Sequence, residues 1–199
     1  MSASRSARPS ATTPVAVIGV IGHHVLNDSG RLTAGIDEAL DRIESHFRGP
    51  LVVMASLAEG ADRLVVRRAL KRLRVSTFVA PLPFVRQEFE HDFRAPGSLE
   101  EFRSLIARAQ YVLQLPPPHG TPRALAYALA GRFILERAHV LLAVWDGTPS
   151  RGEDPTGDVI TIARRIDMKI AWVHARDGTN AEAPAPTGCA PGTVTFEGL

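Results

Sequence analysis

Six short apolar runs recur along the chain: VAVIGVI (15–21), LVVMAS (51–56), STFVAPL (76–82), YVLQL (111–115), HVLLAVW (139–145) and KIAWVHA (169–175). Each has strand length, is rich in β-branched residues and lacks polar alternation, so each is predicted to be a strand buried on both faces. Between them the apolar period changes. Leu32, Ile36, Ala39, Leu40 and Ile43 share one side of a helix over 31–47, and similar spacing recurs at 61–73, 99–109, 122–137 and 157–166. Alternation of strand and helix requires right-handed crossovers and a sheet covered on both faces. The predicted class is α/β: a Rossmann-like three-layer sandwich with a mainly parallel sheet of about six strands.

The ends of the chain break this pattern. Residues 1–13 are small, polar and Pro-containing, and residues 176–199 are rich in Ala, Pro, Gly and Thr. Neither composition offers enough apolar surface to offset ordering entropy, so both are expected to be flexible tails around a domain spanning 14–175. PPPHGTP at 116–122 is expected to be a long loop on the ligand-bearing edge of the sheet.

Charge narrows the candidate partners. Arg5 and Arg8 account for the formal charge of +2, leaving residues 14–199 balanced, and a balanced body argues against nucleic acid as a partner. The single Cys189 excludes an intrachain disulfide or a cysteine zinc site, which points to a reducing cytoplasm. No apolar run approaches the ~20 residues of a membrane span. No metal site and no cofactor are expected.

Candidate chemistry gathers at three strand ends. In a parallel sheet these lie on one edge, where open α/β sheets hold their ligands. After the first strand, Gly22 and His23, with His24 beyond, combine a close backbone turn with hydrogen-bonding rings; solvated histidines on a tight turn are the plain alternative. After the second, Ser56, Glu59, Gly60, Ala61 and Asp62 lead straight into a helix, whose free N–H groups could hold a phosphate; ordinary helix capping explains the same residues. After the fifth, Asp146 and Gly147 precede a Gly/Pro-rich loop and a helix start at Thr156, Gly157 and Asp158, offering carboxylates for ribose hydroxyls and N–H groups for phosphate. Phe84, Phe89 and Phe93, interleaved with Glu88, Glu90 and Asp92, read either as a lid or as aromatics pinning a loop to the sheet. Tyr127 and Gly131 share one helix face beside Arg132.

Taken together, SLAEGADRL and GRFILERAHVLLAVWDGTPSRGEDPTGDVITIARRIDMKIAWV resemble the SLOG superfamily of Rossmann-like proteins. That group includes the DNA-processing protein A family and the Lonely Guy phosphoribohydrolases. Ser56, Gly60 and Asp62 match the Gly-Leu-Ala-Arg-Gly-Ile-Asp turn of the DNA-processing branch, with Glu59 in place of its basic residue. Thr156 and Asp158 match the threonine and acid of the hydrolases' Pro-Gly-Gly-x-Gly-Thr-x-Glu loop. With the GHHVL and LPF blocks the likeness covers roughly 15–175, and a bacterial subgroup of the superfamily carries similar AEGAD, LPF, AVWDG and TGD blocks.

The resemblance implies binding of a nucleotide or nucleotide-derived signal, with phosphate over the Gly60 or Gly157 helix start and ribose near Asp146 and Asp158. It implies two further readings. In a nucleotide N-glycosidase, Asp158 would stabilise the sugar cation and Arg132 the phosphate, although the hydrolases' arginine falls nearer Ala130 in spacing. In a single-stranded DNA binder, affinity would fall steeply with salt. The hydrolases' habit of pairing implies a homodimer.

Overall fold

A computed structural model describes residues 15–27, 29–72, 74–149, 155–176 and 188–199. The strands are β1 (Ala16–Gly22), β2 (Leu51–Met54), β3 (Val75–Leu82), β4 (Tyr111–Gln114), β5 (Val140–Trp145), β6 (Lys169–His174) and β7 (Val194–Glu197). The helices are α1 (Ser29–His46), α2 (Ala61–Ala69), α3 (Arg86–Phe89), α4 (Ser98–Ile106), α5 (Arg123–Leu135) and α6 (Thr156–Arg165). A 3₁₀ turn, Glu90–Asp92, follows α3.

The sheet has seven strands in the order β4-β3-β2-β1-β5-β6-β7. Every pair is parallel except β6 with β7, which run antiparallel. Two apolar layers flank it, as the two-sided burial of the strand sequences requires. One layer packs Leu32, Ile36 and Leu40 of α1, Val65 of α2 and Phe102 of α4 against Ile18, Val53 and Phe78. The other packs Ile134 of α5 and Val159, Ile160 and Ala163 of α6 against Ile21, Leu141 and Ala143. The predicted α/β sandwich is therefore the observed one.

Two expectations need correction. YVLQL was expected to be buried on both faces, but β4 is an edge strand and Tyr111 to Gln114 are all exposed. Apolar composition reports a strand's tolerance of burial, and its position in the sheet decides whether burial occurs. The expected C-terminal tail supplies β7: Val194 opposes Val173 and Phe196 opposes Ala171. Alternating Val194 and Phe196 join the main core, a short signal easily lost among the Gly and Pro around it. Residues 1–13 and Gly152 of the β5–α6 loop lie outside the described residues.

Strand order positions the site. From β1 the chain proceeds outward through β2 to β4, then returns to place β5 on the other flank of β1. The connections after β1 and β5 thus diverge to opposite faces, opening a crevice at the carboxyl edge, the switch point where doubly wound folds bind ligands.

Candidate functional site

The β2–α2 turn is built against the end of β1. Gly60 adopts φ +84°, and a Cβ there would stand 2.3 Å from the His24 carbonyl oxygen and 2.4 Å from that of His23, so glycine is required. The Ala61 N–H donates to the His23 carbonyl at 3.0 Å. The position above Gly60 and Ala61, expected to hold a phosphate, is thus filled by the protein's own backbone.

Asp62 turns back over the same loop, where its Oδ2 accepts the Ala58 N–H at 3.3 Å. Burial pushes its carboxyl up to about 7, against the opposing pull of the Ala58, Ser56 and Leu57 N–H groups and the Arg63 charge. Arg63 is buried next to it. Its Nε donates to the Leu57 carbonyl at 2.9 Å, its Nη1 to the Ser98 carbonyl and hydroxyl at 2.7 Å, and its guanidinium lies 4.2 Å from the Phe93 ring centre. Glu59 points elsewhere: Oε1 accepts the N–H groups of Arg94 at 3.1 Å and Ala95 at 3.3 Å. This acid anchors the segment ahead of α4.

The end of β5 is tied to β1. The Asp146 N–H donates to His23 Nε2 at 3.1 Å, and Asp146 Oδ1 accepts the Thr148 N–H at 2.8 Å and hydroxyl at 2.7 Å. His23 and Asp146 are both buried. Gly147, at φ +90°, supplies the left-handed residue inside that turn. Beyond the loop, Thr156 and Gly157 are buried at the start of α6 and Asp158 is exposed on its first turn.

A narrow crevice of about 40 Å³ opens between these walls, lined by Gly22, His24, Ser56, Asp62, Tyr127, Gly131 and Thr156, with Ala58, Pro155 and Val159. It is deep enough for a hydroxyl or one or two waters. A groove of about 420 Å³ shares His24 with it and is lined by Glu59, Gly60, Arg63, Ala95, Ser98 and Glu101. That volume lies within the range of small-molecule sites. The carboxyl edge thus offers a small slot, apolar at its base with Ser56, Asp62 and Thr156 in its walls, beside a roomier depression.

The structure brings part of the expected set of residues together. Gly22, Ser56, Asp62 and Thr156 converge on the crevice as their strand ends required, and Glu59 and Gly60 line the groove. His23 and Asp146 serve as ties between strands, and Asp158 is absent from both linings. Arg132 departs furthest, being exposed and donating to Glu136 at 3.0 Å along its own helix. Neither group of the glycosidase reading lines the crevice.

Phe84 and Phe89 are buried, and Tyr127 donates to Asp92 Oδ2 at 2.6 Å. Arg123 lies 3.9 Å above the Phe84 ring and pairs with Glu88 and Asp92. The LPF segment is therefore pinned, the second of its two readings. Burial and the Asp92 carboxylate push the Tyr127 phenol up, so it remains a hydrogen-bond donor. The groove residues at 95–101 carried no sequence signal. They reach the site through the Arg63 and Glu59 hydrogen bonds to Ser98, Arg94 and Ala95 and the packing of Phe93 and Phe102 on Arg63.

Among the described residues, no cluster of three or more His, Cys, Asp or Glu side chains could hold a metal, and no helix is long and apolar enough to cross a membrane.

The fold is a Rossmann-like sandwich similar to that of DNA processing protein A. The chain is similar in structure to DprA from Streptococcus pneumoniae, with a TM-score of 0.55 and 15% identity, covering 83% of this chain and 53% of that one. It is similar also to DprA from Helicobacter pylori, described with a single-stranded DNA binding mode, with a TM-score of 0.53 and 16% identity over 83% of this chain and 70% of that one. The chain thus spans about half of the pneumococcal protein. No family model matches the sequence, and no curated protein does.

Proposed function

We propose that the chain binds a nucleotide at the carboxyl edge of its sheet. One observation carries the reading: a small slot of mixed polar and apolar lining at the switch point adjoins a groove of ligand size, with exposed His24 shared between them. A sugar hydroxyl or phosphate oxygen fits the slot, whose lining includes the polar residues Ser56, Asp62 and Thr156. The larger remainder of the ligand fits the groove. Asp62 near neutrality both donates and accepts, which suits a hydroxyl better than a fully ionised phosphate.

A second reading, single-stranded DNA binding, is favoured by the likeness to the Helicobacter pylori protein. It returns nucleic acid to the candidates that the balanced charge had set aside. Thermal shift distinguishes the two. A mononucleotide at a hundred times its dissociation constant stabilises by about 2.7 kcal/mol, and His24→Ala removes that response. A response confined to oligodeoxynucleotides, weakening steeply with salt, transfers the site to DNA. Silence from both ligand classes ends the nucleotide reading.

A further inference from the structure

The groove beside the slot is lined by two carboxylates, Glu59 and Glu101, and by the guanidinium of Arg63. That guanidinium is withdrawn from solvent: Arg63 is 1% exposed, its Nε and Nη1 donate to Leu57 and Ser98, and its Nη2 is buried. Glu101 is engaged as well, paired with Arg67 and 3.4 Å from Arg63. A phosphate seated in the groove would face the carboxylates with no accessible guanidinium in the lining to offset them. The groove therefore favours a part of the ligand that donates hydrogen bonds.

Glu59 is the acceptor placed to meet it. Its Oε1 accepts the N–H groups of Arg94 at 3.1 Å and Ala95 at 3.3 Å, which engages both lone pairs of that oxygen. Among the described residues, Oε2 accepts no hydrogen bond. The carboxylate is thus fixed by one oxygen and unfilled at the other, on a half-buried residue that lines the groove. Val25, Leu26 and Pro96 are also in the lining, apolar surface suited to the faces of a flat ring.

We infer that Glu59 reads the base of a nucleotide, selecting rings that carry an exocyclic amino group, cytosine and adenine over their carbonyl counterparts uracil and hypoxanthine. The base then occupies the groove and the sugar or phosphate the slot, an arrangement that rests on the nucleotide binding proposed above. An amino group donates to Oε2. A carbonyl at the same ring position turns its lone pairs toward the carboxylate and leaves both groups unsatisfied, so discrimination comes from a repulsive contact as well as an attractive one.

Isothermal titration calorimetry of the full chain with two isosteric pairs tests this: cytidine against uridine monophosphate, and adenosine against inosine monophosphate. The amino member of each pair is expected to bind about tenfold tighter, the scale of one hydrogen bond to a charged group. Glu59→Gln keeps an oxygen for the Arg94 and Ala95 N–H groups and puts an amide NH₂ where Oε2 stood. It is expected to match the wild type in far-ultraviolet circular dichroism and to invert the preference, which a purely structural role for Glu59 would not do. Selectivity in one pair alone, inverted by the substitution, supports the inference and adds the ring size. Equal affinities within both pairs, or tighter binding of the carbonyl members, overturn it whether or not the variant folds, and leave nucleotide binding standing; selectivity that Glu59→Gln preserves overturns it too. No binding of any of the four nucleotides overturns both readings.

Discussion

The β2–α2 turn and the β5–α6 connection look alike as sequence. Each follows a buried apolar strand, contains glycine, and opens a helix with an acid in its first turn, Asp62 in one and Asp158 in the other. In the fold they differ. The first is closed on itself: Gly60 and Ala61 abut the β1 backbone, Asp62 folds over the loop, and Arg63 ties it to α4. Among the described residues of the second, Asp146 is tied to the turn that follows it and Asp158 is exposed. A helix start that spends its N–H groups on the protein is architecture. One that leaves its acid in solvent keeps that carboxylate accessible.

Substitutions can break that contrast, and the largest effect falls in the closed turn. Gly60→Ala places a methyl group within 2.4 Å of two carbonyl oxygens at positive φ. It should destabilise the ligand-free protein by about 3 kcal/mol or more, measured by urea denaturation. Unchanged stability would mean that the turn yields freely and is not architectural.

Asp62 gives an intermediate effect that depends on pH. Its carboxyl is raised from 3.8 to about 7, so the folded state holds a proton that the unfolded state releases. The corresponding stability is complete below the unfolded value and is lost as pH rises through the folded one. Denaturation of the wild type should therefore show a component falling between about pH 4 and pH 7 that Asp62→Asn lacks. Identical pH profiles for both proteins would place Asp62 in a more solvated setting.

The smallest effect belongs to the open side. Asp158→Ala should change stability by only about 0.3–1 kcal/mol, the value of an acid at a helix N-terminus. If Asp158 reaches the ligand, the same substitution abolishes the nucleotide thermal shift. A large loss of stability with binding intact would reverse the contrast.

Much of the architecture was legible along the chain because it rests on period. VAVIGVI and HVLLAVW, too apolar for any exposed face, became the two central strands β1 and β5. The same reasoning failed for YVLQL, whose composition matches theirs but whose place is an edge. It failed also for β7, four residues of strand among turn-forming ones. At the site, Gly22, Ser56, Asp62 and Thr156 could be gathered because parallel strands end on one side. Arg132 could not be assigned, since one position along a helix turns a side chain by about 100°. Gly131 faces the crevice and its neighbour faces solvent.

The sequence by itself determined the fold class, the two-layer core and the edge of the sheet where chemistry gathers, because hydrophobic period and strand-end composition are local properties. Tertiary structure decided which helix start was already filled, which acid was buried to near neutrality, where the groove opened, and which apolar strand was left uncovered. Those outcomes depend on which distant backbone approaches: the His23 carbonyl above Ala61, the Ser98 carbonyl beneath Arg63, and the place of β4 at the end of the strand order.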